Sequence, residues 1–172
     1  MKTAIVFLST ALMLLAAVAC SRKNTVSYKD NVKTALAQAD YNDVRVDEDQ
    51  DKNTITLGGK VHSQDAKQEA GRIAGAAAAT RIVVNEISVE PEGAESQARD
   101  IQSDMDTAIE KNYKAVLIAK GLDNQSIDFD AKNGVLKLSG RVRTPQQRTE
   151  AEQVAAQVPN VAQVLNQIEV RR

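Results

Sequence analysis

The strongest constraint on this chain is that it resembles itself. Laid over itself at an offset of 81, residues 30–89 fall on 111–170 without a gap, with 15 identities in 60 positions. Leu36, Leu57, Gly59 and Val61 recur as Leu117, Leu138, Gly140 and Val142. Asp47 and Asp49 recur as Asp128 and Asp130, and Val83, Asn85, Ile87 and Val89 as Val164, Asn166, Ile168 and Val170. Most other positions stay apolar or stay polar. A repeat of this length reports a duplicated structural unit, so one fold has to suit both copies.

Each copy reads as αββαβ. Val32, Ala35, Leu36 and Ala39 have helical spacing, as do Ile109, Tyr113, Val116 and Leu117. Val44 and Val46, matched by Ile127 and Phe129, mark a strand. The turns that follow are "DKN" and "KNG"; Asn133-Gly134 suits a tight hairpin because both residues tolerate positive φ. A second strand carries Ile55, Leu57 and Val61, or Leu136, Leu138 and Val142. Ser63 and Thr144-Pro145 are helix starts. Ala70, Ile73, Ala74 and Ala77, or Ala151, Val154, Ala155 and Val158, form the buried stripe of the next helix. The last strands are "IVVNEISV" and "QVLNQIEV". Gly59 and Gly140 recur where Gly58 becomes Ser139, so these two are the structural glycines, placed for close approach of a helix or a backbone to the sheet.

A unit of about 60 residues is near the lower limit for a self-sufficient core. With two Phe, three Tyr and no Trp, the cores have to be aliphatic. Pro91 and Gly93 interrupt the chain between copies. From about Ala94 the composition suits a helix that could run into the first helix of copy two. The expected boundaries are a signal peptide at 1–19, a tether at 20–27, a first domain at 28–90, a partly helical linker at 91–104 and a second domain at 105–172.

Residues 1–20 read "MKTAIVFLSTALMLLAAVAC". A basic start, a short apolar run and small residues before Cys20 describe a secretory signal, not a membrane span. Cys20 is the only cysteine, which rules out an intrachain disulfide. Its place after "AVA" resembles a bacterial lipobox, although Ala17 stands where Leu is commoner. That resemblance implies diacylation of Cys20, and Ser21 after it implies transfer to the outer membrane. A soluble periplasmic form is the alternative, since "AVA" also suits ordinary signal cleavage.

The L-x-G-x-V strand ending (Leu57, Gly59, Val61; Leu138, Gly140, Val142) and the V-x-N-x-I-x-V last strand (Val83, Asn85, Ile87, Val89; Val164, Asn166, Ile168, Val170) resemble the BON domain. Two copies behind a lipobox resemble the dual-BON outer-membrane lipoproteins, kin of the osmotically inducible periplasmic Y protein. The family often has Gly-Val before the last strand; this chain has Thr80 and Asn160-Val161. The resemblance implies an α+β fold of tandem BON-type units, each a small three-stranded sheet covered by two helices. It also implies phospholipid binding through the first helix of the second domain, and support of envelope integrity under stress.

Enzymatic features are scarce, and the expectation is a non-enzyme without cofactor or metal. The one histidine, His62, has Arg143 as its counterpart, which suits a solvent-facing side chain better than a base. The acidic run 47–53 lacks the sixth-place Gly and twelfth-place Glu of a calcium loop. Gly58-Gly59 matches no phosphate loop. A formal charge of −1 and few aromatics argue against nucleic acid.

Function is better sought where the copies differ. Residues 30–89 hold 7 Lys/Arg and 10 Asp/Glu, a net of −3; residues 111–170 hold 8 and 6, a net of +2. Asp30 becomes Lys111, Ala39 becomes Lys120 and Ala37 becomes Ile118, while Lys33 and Lys114 match. On a helical wheel Ile118 lies off the face of Met105, Ile109, Tyr113 and Val116, near Lys111, Lys114 and Leu122. An exposed Ile among lysines suits insertion into an anionic headgroup layer. The candidate lipid-binding residues are therefore Lys111, Lys114, Ile118, Lys120 and Leu122, and the expected partner is an anionic phospholipid membrane. Packing of Ile118 against the linker or the first copy is the bland alternative. A protein-interaction adaptor or chaperone-like module, with envelope proteins as partners, is the alternative function.

Overall fold

The computed structural model describes residues 27–171. The signal segment and Cys20 lie outside them. The first unit runs α1 (Lys29–Gln38), β1 (Val44–Asp49), β2 (Thr54–Val61), α2 (Gln64–Ala77), β3 (Ile82–Asn85) and β4 (Ser88–Val89). The second runs α3 (Glu95–Ala119), β5 (Ser126–Lys132), β6 (Val135–Val142), α4 (Pro145–Ala155), β7 (Gln163–Asn166) and β8 (Glu169–Val170). In each, an antiparallel hairpin is joined by parallel pairing of the last strand with the middle one. This is the mixed α+β repeat expected.

The last strand differs from expectation by being broken in two. After β3, the Asn85 side chain takes over the backbone's partners: Ile87 N donates to Asn85 Oδ1 (3.3 Å), and Asn85 Nδ2 donates to the Lys67 carbonyl of α2 (2.8 Å). Asn166 repeats both contacts, with Ile168 N (3.1 Å) and the Arg148 carbonyl (3.2 Å). The recurrent asparagine thus pins the strand to the helix above it, which explains its place in both copies.

The gapless repeat also conceals a compensated shift. Val46 pairs with Leu57 and Asp49 with Thr54, but Phe129 pairs with Leu138 and Lys132 with Val135. The second hairpin closes through Asn133-Gly134 alone, with φ of 50° and 82°, and the helix-to-strand connection before it is longer. Phe129 is thus the counterpart of Val46, and Asp130 of Asp47. The matched pairs Asp47/Asp128 and Asp49/Asp130 do not occupy equivalent positions.

Two cores result, the first built mainly from aliphatic residues; the second departs from the aliphatic expectation, because Tyr113 is fully buried in it with Phe129 packed alongside. One gathers Val32, Leu36, Ile55, Leu57 and Ile87; the other gathers Ile109, Tyr113, Leu136, Leu138 and Val142. Ser63 caps α2 through Ala66 N, and Thr144 with Gln147 forms a full capping box on α4. Such caps are worth about 1 kcal/mol each.

The units also pack on each other. Val84, Val135 and Leu165 form a small apolar cluster between the sheets. Gln163 lays its amide along the free edge of β3, donating to the Val83 carbonyl (2.8 Å) and accepting from Asn85 N (3.2 Å). Lys67 Nζ, from α2, donates to the Asn133 carbonyl (2.8 Å), and Asn133 Nδ2 donates to that of Glu86 (2.8 Å). Helix α3 joins linker and second unit without a break. Its Asp106 carboxylate accepts from Asn133 N (2.7 Å) and Gly134 N (3.0 Å).

The repeated glycines have a direct cause. Gly59 and Gly140 have φ of 95° and 97°, and a Cβ on either would overlap the carbonyl oxygen of Asp43 or Ser126. Gly59→Val or Gly140→Val should lower stability by about 3 kcal/mol or more. Conversely, Ala79 and Asn160 hold φ of 51° and 68° at equivalent points before the last strands. An alanine is strained there, so Ala79→Gly should raise stability by about 1 kcal/mol. Urea denaturation of each variant measures both effects, and a well-folded Gly140→Val protein of wild-type stability would refute the first.

Candidate membrane-contact surface

The C-terminal half of α3 packs through Ile109, Tyr113 and Leu117, with Val116 only partly buried. Tyr113 meets Phe129 edge to face at 5.1 Å, and its hydroxyl donates to the Ala151 carbonyl (3.2 Å). Burial raises the Tyr113 pKa, so the phenol stays neutral. This contact fixes the rotation of α3 and hence which residues it turns outward.

Lys111, Lys114 and Ile118 are among the residues turned outward. At about 100° per residue, Lys111 and Lys114 fall within about 40° of Ile118 on the helix surface. Ile118 is 56% exposed, one of three large hydrophobic residues left so among those described; the others are Ile82 and Ile101. Lys120 is exposed too, but it is the C-cap of α3. Helical geometry puts it roughly 160° around from Ile118, at the helix end and off that stripe.

Leu122 corrects the sequence reading. It is 4% exposed and belongs to the second core. The wheel assumed a continuing helix, whereas Gly121, at φ 66°, reverses the chain. Gly121 N then donates to Ile118 O (3.0 Å) and Leu122 N to Leu117 O (2.9 Å). That is a Schellman close, in which the residue after the glycine folds back onto the helix. The first copy closes alike, with Asp40 at φ 62° and Tyr41 N donating to Leu36 O (2.9 Å).

Folding Leu122 back leaves a groove of about 280 Å³ beside Ile118. Lys114, Leu117, Leu122, Ile127 and Phe129 contribute to its walls. Ile127 and Phe129 are functional candidates that the sequence assigned to packing alone; their alternation predicts an inner face and says nothing of an uncovered edge. The groove offers apolar contact with Lys114, Asp123 and Gln125 at its border. His62 is exposed, with Nδ1 3.0 Å from the Glu90 carbonyl oxygen. No cluster suited to a metal ion and no helix long and apolar enough to cross a membrane occurs among the described residues.

What the fold defines is a tandem pair of small αββαβ domains, with an apolar residue between lysines on the second. The BON domain family model matches residues 26–91 and again 105–172, and the chain belongs to that family. BON domains are generally non-catalytic and are linked to membrane or phospholipid binding and to envelope proteins. No curated protein sequence matches the chain. Two solved structures of CdsD, a structural protein of the type III secretion system of Chlamydia trachomatis, are similar. One, of the C-terminal domain, has 12% identity and a TM-score of 0.35 over 83% of this chain and 96% of that one. The other has the same identity and TM-score over 83% of this chain and 91% of that one. Likeness at that level carries no functional argument.

Leu122→Asp and Ile118→Asp separate packing from surface. The first should destabilise the second domain by about 3 kcal/mol or more, since it buries a carboxylate in an apolar core. The second should change stability by less than about 0.5 kcal/mol, as an exposed site does. Thermal melting followed by circular dichroism checks both.

Proposed function

We propose that this protein is a non-enzymatic envelope lipoprotein, anchored through Cys20 at the periplasmic face of the outer membrane. Its second BON domain binds anionic phospholipid, and the protein supports membrane integrity under stress. The observation that carries this reading is Ile118, exposed between Lys111 and Lys114 at the rim of an apolar groove, where the first domain has Ala37, Asp30 and Lys33. The family's general link to membranes supports it.

The magnitudes explain why an anchor is needed. Each lysine near an anionic surface contributes about 1 kcal/mol, and a buried Ile side chain about 2 kcal/mol. The total, about 4 kcal/mol, corresponds to a dissociation constant of roughly 1 mM. A tether turns such a contact into an intramolecular one at millimolar effective concentration. From Cys20 to α1 the extended chain reaches at most about 30 Å, so the first domain stays near its own leaflet.

Co-sedimentation of residues 21–172 with vesicles, with and without anionic lipid, tests the contact. Binding should require anionic lipid and fall as salt rises from about 0.1 M to 1 M, where the screening length shrinks from about 10 Å to 3 Å. Ile118→Asp and Lys114→Glu should each weaken it; Ala37→Asp should not. Unchanged binding by Ile118→Asp would place the contact elsewhere. Mass spectrometry of the mature N-terminus tests the anchor: an unmodified Cys20 would remove it.

A further inference from the structure

The two domains present the same open sheet face, and only one is covered. On the first, α3 crosses the face and lays Arg99 against Glu90 (3.3 Å), which is 5% exposed. A cleft of about 740 Å³ between helix and sheet is lined by Gly58, Lys60, Ser88 and Glu90, with Gln102 and Ser103 opposite. The counterpart on the second domain is defined by register. Glu90 N donates to Val61 O (2.7 Å), and Arg171 N donates to Val142 O (2.8 Å). Arg171 therefore sits where Glu90 does, and Arg141 sits where Lys60 does. No described helix lies across this second face.

Its chemistry is the opposite of the first. Arg141, Arg171 and Lys52, the last from the turn of the first domain, line a cleft of about 420 Å³ with Ser126, Ser139 and Glu169. Glu169 is the one carboxylate among the lining residues and pairs with Arg141 (3.2 Å), while Lys52 pairs with Asp49 of its own hairpin (3.6 Å). Gln167 borders the same cleft with a buried Oε1 that no described group satisfies. Its counterpart on the first domain, Glu86, takes the Lys132 ammonium (2.8 Å). A buried acceptor left without a donor costs about 1–3 kcal/mol, which an incoming N–H would recover.

We propose that this open face of the second domain docks an acidic helix of a partner protein, seated as α3 is seated on the first domain. The charge relation is inverted: where α3 offers Arg99 to Glu90, the partner offers a carboxylate to Arg171, with Arg141 and Lys52 beside it. A headgroup layer is the poorer occupant. None of the three exposed large hydrophobic residues lines this cleft, so it offers no apolar side chain for insertion among headgroups.

The probe is a stapled helical peptide of residues 92–107, prepared with Arg99 retained and with Arg99→Glu. Binding to residues 21–172 is followed by fluorescence anisotropy. The Arg99→Glu peptide should bind about tenfold more tightly than the Arg99 peptide, as expected for a close charge pair at an interface. Arg171→Glu in the protein should reverse that order. Melting confirms that Arg171→Glu, a change at an exposed side chain, leaves folding intact. Equal affinity of the two peptides, absence of binding by both, or no reversal overturns the proposal. So does an Arg171→Glu protein that binds neither peptide and loses as much anionic-vesicle binding as Lys114→Glu, since the face would then be a lipid contact. Vesicle binding unchanged by Arg171→Glu, with the peptide order reversed, supports docking and leaves the Ile118 surface a separate question.

Discussion

The two-residue turn Asn133-Gly134 is where the architecture is tied together. Its backbone and side chain are held from three directions: Lys67 from α2, the Glu86 carbonyl from the connection after β3, and Asp106 from α3. Burial pushes the Lys67 pKa down, while Asp106 and Glu86 oppose the shift. An ammonium taken out of water has to keep such partners. The contact therefore sets the second hairpin at one angle to the first domain. A longer turn, such as the one in the first domain, would not present two adjacent backbone N–H groups to a single carboxylate in this way.

From that tie follows the asymmetry between two units of one fold. α3 descends from the linker and meets Asn133-Gly134 at Asp106, so its N-terminal half has to lie over the first domain's sheet. The second domain's sheet is covered by α4 and the C-terminal half of α3 on one face only, and no described helix lies over the other. Its corresponding face stays open, and the C-terminal half of α3 turns Lys111, Lys114 and Ile118 to solvent. Packing constrains what the copies share; positions released from packing are where they diverge. Ala37 against Ile118 and Glu90 against Arg171 are divergences of that kind. Both sit on frames that hydrogen-bonding register shows to be equivalent.

In the proposed role, weak contacts suffice because the anchor supplies proximity. One apolar side chain and two lysines are a small surface, and a contact of that size is weak and reversible without the anchor. A second face of different chemistry would let the same domain hold a partner without competing for the lipid surface.

The repeat, the αββαβ order, the aliphatic stripes, the Asn-Gly turn and the helix caps were all legible in the sequence. Each depends on local spacing or on the conformational range of one or two residues. The two structural glycines were legible as well, since only residues that survive duplication without a side chain stand out. Chain reversal at Gly121 was not. A wheel extends any helix indefinitely, so Leu122 looked exposed until positive φ turned it into the core. The two-residue register shift was hidden because an insertion in one loop cancels a deletion in another. The groove edge formed by Ile127 and Phe129 was hidden because alternation marks a face but not what covers it. What the sequence determined by itself is therefore the repeated unit and the polarity of its parts. Which faces stay open, and how α3 is shared between the domains, only the tertiary structure decided, because those depend on contacts between residues far apart in the chain, such as Lys67 with Asn133 and Gln163 with Val83.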